Sequence, residues 1–142
     1  MKALVAALLA GLALPALAQE ADAPAGPEFT NSDGAELRFL DKLTSETGDV
    51  TLSVGQSAKF GRLVVRLDNC RYPTGNPSSD AEAHLTILED QTEARLFAGW
   101  MLASSPALSA LDHPRYDVWV LACVLPEAEA PADAATSEGE GQ

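Results

Sequence analysis

The chain has 142 residues, room for one domain and not comfortably for two. Nine Lys and Arg against 21 Asp and Glu give a formal charge of −12, which excludes a basic nucleic-acid-binding surface and disfavours residence on anionic lipid. A hydrophobic content of 46% is enough for a packed core, so the chain is not disordered throughout.

Lys2 precedes an apolar run from Ala3 to Leu14, and Pro15 then leads into Ala16-Leu17-Ala18 ahead of Gln19. A short positive start, an apolar stretch and a small-x-small site predict a secretory signal peptide over residues 1–18. The run is shorter than the ~20 apolar residues of a membrane-spanning helix. The absence of an Arg pair ahead of it points to the general secretory route. The expected location is therefore the periplasm or beyond, with no stable membrane insertion once the signal is removed. Residues 19–35 are acidic and carry Pro24, Gly26 and Pro27, and read as a disordered linker. Residues 127–142, EAEAPADAATSEGEGQ, alternate alanine with acid and offer no stable apolar face. They read as a disordered, solvating acidic tail.

The remaining residues, 36–126, read as the folded domain, and period two dominates them. Leu37 to Leu43 is a weak first strand. Thr51 to Val54 alternates briefly before Gly55. Leu63, Val65 and Leu67 alternate with Arg66 and Asp68, the signature of a half-buried strand. Residues 70–82 hold Pro73, Gly75, Asn76 and Pro77 and read as a long loop of the kind that often carries function. Ala83 to Leu88 alternates again. Asp90 to Glu93 is a polar break, and Ala94 to Leu102 completes a hairpin. That second arm is apolar on both faces, which predicts a central strand between two covering layers. Ser105 as a cap, Pro106 at the first helical position and Ala107 to Leu111 predict one helical turn, stopped by Pro114. Tyr116 to Cys123 is the last strand. The expectation is an all-β domain: a small antiparallel β-sandwich or partly open barrel of about six or seven strands with one short helical turn, flanked by disordered tails.

A domain of this size is marginal unless it is stapled. Its two cysteines, Cys70 and Cys123, are separated too widely for a thioredoxin-like motif and lack the histidines of a zinc site. In an oxidising compartment they are expected to pair; two buried thiols or a regulatory bond are the alternatives.

No phosphate loop, dinucleotide fingerprint or zinc-protease motif occurs, and neither cofactor nor metal is implied. Asp112, His113 and Asp117 are the nearest approach to an acid–base set, but Asp112 and His113 read as dressing a turn. Ser104 and Ser105 lack the glycines of a nucleophile elbow. Arg71, Tyr72, Trp100, Arg115, Tyr116 and Trp119 lie at strand ends or in strands beside the loop and the helical turn. They are the candidate binding patch, cationic and aromatic in chemistry.

FGRL (60–63), CRYP (70–73), FAGWM (97–101) and SSPALSALDHPRYDVW (104–119) together resemble a family of small exported alphaproteobacterial proteins catalogued as domain of unknown function 2155. The resemblance covers roughly residues 37–125. It implies an exported Gram-negative protein and carries over no reaction, cofactor or catalytic residue.

The functional expectation is a non-enzymatic periplasmic β-domain that binds or assists another envelope protein. The alternatives are a small-ligand or carbohydrate-binding module using an exposed Trp in a barrel mouth, and a hydrolase using Asp112, His113 and Asp117.

Overall fold

The structure, a computed structural model, describes residues 25–126. The predicted signal peptide, residues 19–24 of the expected linker and the acidic tail lie outside them. In chain order the elements are β1 (Phe29–Ser32), β2 (Gly34–Asp41), β3 (Glu46–Ser53), β4 (Ser57–Phe60), β5 (Leu63–Pro73), β6 (Glu82–Glu89), β7 (Arg95–Leu102), a 3-10 turn (Pro106–Leu108) and β8 (Tyr116–Cys123). All strand pairings are antiparallel. The first sheet runs β1-β5-β6-β7, with β4 also on β5; the second runs β3-β2-β8. The two sheets are not closed into a barrel, and the architecture is a sandwich.

β5 organises the first sheet. One edge takes β6. The other takes β4 along residues 63–66 and β1 along residues 70–73. Leu63, Val65 and Leu67 point into the core, as the alternation predicts. A register shift between Leu67 and Asn69 then moves the inward set from odd to even numbers, because one extra residue reverses the face of everything after it. Cys70 and Tyr72 are buried for that reason. From β6, Ala83, Leu85 and Ile87 join them, and Ala35, Leu37, Phe39, Val118 and Val120 of the second sheet close the core from the other side. Cys70 of β5 and Cys123 of β8 form a disulfide across the two sheets, with Cα atoms 5.8 Å apart.

Several expectations change. Residues 29–35 are not a disordered linker. Thr30 and Ser32 pair with the end of β5, and Gly34 and Ala35 are buried at the start of β2. That pairing also keeps residues 70–73 in a strand, so the expected long loop shrinks to residues 74–81. β7 is an edge strand rather than a central one. Leu43 lies in the β2–β3 turn and is exposed. Ser105 makes no side-chain cap, and the predicted helical turn tightens to the three residues Pro106–Leu108. It sits in a crossover, residues 103–115, that takes the chain from the first sheet to the second and buries Leu111 in the core.

Candidate functional site

The outward side chains of β5, β6 and β7 form rows across the first sheet, because residues opposite each other in the register share a face. One row is Arg71, Glu82 and Leu102; the next is Asn69, His84 and Trp100. On β1, Asn31 lies opposite Arg71, and Phe29, opposite Pro73, lies diagonal to it.

Arg71 is the centre of this face. Its guanidinium lies 4.5 Å from the Phe29 ring centroid and 4.3 Å from that of Trp100. It also donates to Glu82 Oε2, from Nε at 2.7 Å and with Nη2 at 2.6 Å. Three contacts hold a long side chain that would otherwise be mobile. Trp100 in turn meets the His84 ring edge-on at 5.3 Å. His84 Nδ1 lies 3.0 Å from Asp68 Oδ2, and Thr86 Oγ1 donates to the same oxygen at 2.6 Å. Arg66 Nε donates to Asp68 Oδ1 at 2.7 Å. Burial pushes the Asp68 carboxyl up, but the hydrogen bonds from Thr86, His84 and Arg66 outweigh it and hold the group below the usual carboxylate range. The face is thus a fixed array of aromatic rings, the Arg71 and Arg66 guanidinium groups and one carboxylate-anchored imidazole. Such groups recognise a surface by stacking and charge-assisted hydrogen bonds.

The sequence-predicted patch does not form one surface. Arg71 and Trp100 come together, but Tyr72 points inward and is buried, as is Tyr116. A one-residue register shift turns Tyr72 inward, and Phe60, stacked on Phe39, meets Tyr116 edge-on and covers it. Arg115 is spent on Asp41, donating from Nη2 at 2.6 Å and Nε at 3.0 Å. Trp119 lies apart, on β8 of the second sheet. It flanks an apolar groove of about 240 Å³ between that strand and the crossover, with Pro106, Ala107 and Leu111 opposite. The residues missed from sequence are Phe29, Asp68, Glu82 and His84. The outward phase of Glu82, His84 and Thr86 was the available signal.

The proposed acid–base set is not joined either. His113 Nδ1 accepts the backbone N–H groups of Arg115 at 3.1 Å and Tyr116 at 3.0 Å. Lys42 Nζ donates to the His113 carbonyl at 2.7 Å and to Asp117 at 3.1 Å. The imidazole therefore caps a turn, and the Asp117 carboxylate answers a lysine. Among the described residues, no group of three or more His, Cys, Asp and Glu is placed to hold a metal ion, and no helix is long and apolar enough to cross a membrane. Among the same residues every Lys and Arg except Arg95 is ion-paired with an acid of the chain.

The family model described as "Uncharacterized protein conserved in bacteria (DUF2155)" matches residues 35–123. That span takes in β3 to β8 and nearly all of β2, with both cysteines, Arg71 and Trp100, and leaves Phe29 outside. The uncharacterized protein RP359 of Rickettsia prowazekii (strain Madrid E) is 30% identical over 99 residues, 68% of this chain. The match spans 64% of that relative's length. No solved structure matches the chain. With the family model covering well over half of its length, the chain belongs to the bacterial family of uncharacterized proteins described as DUF2155.

Proposed function

We propose that the chain is an exported, non-enzymatic accessory domain of the Gram-negative envelope that holds another envelope protein against the outer face of its first sheet. The observation that carries this is the Arg71 guanidinium fixed between the Phe29 and Trp100 rings on a partly exposed sheet face. Arg and Trp dominate the small sets of residues that supply most binding energy at protein interfaces. A side chain already immobilised loses less entropy on binding. The signal-like start of the chain supports the location. The small-ligand alternative draws less support: the groove beside Trp119, at about 240 Å³, falls below the roughly 300–1,000 Å³ of ordinary ligand pockets, and an open sandwich has no barrel mouth. The hydrolase alternative loses its general base to the backbone amides that His113 already accepts.

The test is crosslinking of the tagged full chain in intact cells, with mass spectrometry of the adducts. The expected result is a recurrent envelope partner attached through β5, β6 or β7, lost in Arg71→Ala and Trp100→Ala while the melting temperature stays close to wild type. The exported chain is expected to begin at Gln19. Adducts unchanged by both substitutions, or none from a protocol that captures known envelope complexes, would remove the proposal.

A further inference from the structure

β7 carries the sequence of a covered strand but occupies an edge. Its eight residues, RLFAGWML, include no Pro and no Lys, and one charge, Arg95. Edge strands are ordinarily blunted by such residues or by bulges, because a row of unpaired backbone groups invites another strand. The one irregularity here lies at the start of β7, where its register on β6 shifts between Ile87 and Leu88. Leu96 is 37% exposed, and Ala98 is exposed as well. The crossover passes nearby, yet among the described residues its one backbone hydrogen bond to β7 runs from the Ser105 amide to Leu102 at the strand's end.

The charges at the two ends of this strand are unmatched and opposite. Arg95, at the start, is the base left without an ion pair among the described residues. Past the other end lies Asp80. Its carboxylate accepts the Ser104 amide at 3.0 Å, the Ser104 hydroxyl at 2.7 Å and the Ala81 amide at 2.8 Å, and among the described residues it has no cationic partner.

We propose that the free edge of β7 pairs antiparallel with β7 of a second copy of this chain. A two-fold axis perpendicular to the sheet keeps outward side chains outward, so each residue must oppose one of its own phase. A register centred on Gly99 satisfies that rule. The shift on β6 pairs Arg95 with Leu88 and so gives it the outward phase. Counted through that extra residue, Arg95 of one copy comes opposite outward Leu102 of the other, beside the Ala103–Ser104 segment that the Asp80 carboxylate holds. The symmetry repeats the match at the far end, so one operation supplies both missing counter-charges, closes both free edges and covers Leu96. A foreign strand would meet the edge but would have to supply both charges itself, which is why a second copy is the favoured occupant. This pairing stands independently of the Arg71 face.

The test is the mass of the purified exported chain by light scattering and sedimentation from micromolar to millimolar concentration. The expected result is a mass rising to that of two chains, with high salt weakening the association. Ala98→Lys puts like charges near the axis and is expected to return the protein to a monomer; Arg95→Glu is expected to weaken the dimer. Should Ala98→Lys fail to fold, hydrogen exchange of the wild type decides: β7 amides gain protection as concentration rises. A monomer at every concentration, a dimer indifferent to both substitutions, or concentration-independent exchange in β7 overturns the proposal.

Discussion

Cys70 and Cys123 lock the corner at which the chain leaves one sheet for the other. Ser32, the last residue of β1, lies opposite Cys70, and Ala35, near the start of β2, lies opposite Cys123. The step between the sheets is therefore flanked on both sides by the same covalent bond. Ser32 Oγ adds hydrogen bonds to the carbonyls of Gly34 and Val124.

The bond closes a separation of 53 residues, which in the chain-entropy model is worth about 4 kcal/mol as an upper figure. For a domain near this size each 1 kcal/mol moves the melting temperature by roughly 4–8 °C. The double variant Cys70→Ala/Cys123→Ala is therefore expected to melt on the order of 10 °C or more below the oxidised protein, by calorimetry or circular dichroism. Substitution is a cleaner probe than reductant, since both sulfurs are buried. Coincident melting curves would show that the sheets hold together without the staple.

Gly61 gives a sharper local test. Its φ is +54°, and a Cβ built there would lie 2.5 Å from the Tyr116 hydroxyl. Tyr116 is itself buried against Phe60 and stacked on His113, so it has little room to retreat. The left-handed backbone alone costs a non-glycine residue about 1–2 kcal/mol. Gly75 shares the positive φ, at +77°, with nothing within 4 Å of its Cβ. Gly61→Ala is expected to lower the melting temperature clearly further than Gly75→Ala. Equal losses would mean that the backbone, and not the packing of Tyr116 over the turn, sets the cost.

The strands legible in the sequence were those whose alternation reflects burial on one face. Leu63, Val65 and Leu67 announce β5, and Ala83, Leu85 and Ile87 announce β6. β1 and β4 carry little apolar periodicity, because FTNS and SAKF are defined by the backbone groups of β5 that they satisfy. Such strands are written in their partner's sequence rather than in their own. The shift after Leu67 is equally silent locally, yet it decides that Cys70 faces the second sheet and that Arg71 faces outward. β7 misled for a different reason. Trp100 gave it a second apolar face, but that face is covered by the side chains of Arg71 and His84 and not by another layer. The site was half legible for the same cause. Arg71 and Trp100 stood out by residue type, whereas Phe29, Glu82, His84 and Asp68 gain meaning from register alone.

Acid unfolding follows from the carboxylates already named. Hydrogen bonds from Arg115 hold the buried Asp41 carboxyl below the usual range against the opposing effect of its burial, with the Leu43 amide assisting. Asp68 is lowered as well, as is Asp80, where hydrogen bonds from Ser104 and Ala81 outweigh the upward push of burial. In each case the folded pKa lies below the unfolded one, so the unfolded chain takes up its protons first as pH falls. The stabilisation is fully present above the ordinary Asp value of about 4 and drains away as pH drops through the folded values. The melting temperature is therefore expected to be flat near neutrality with respect to these groups and to fall steeply below about pH 4. Asp41→Asn cannot titrate and leaves Arg115 without its counter-charge. It is expected to start lower at neutral pH and to show a shallower acid slope, so that the two curves converge as pH falls. Parallel curves would mean that the Asp41–Arg115 pair contributes nothing to the acid transition, which would then fall to the other lowered carboxylates, Asp49, Asp68 and Asp80.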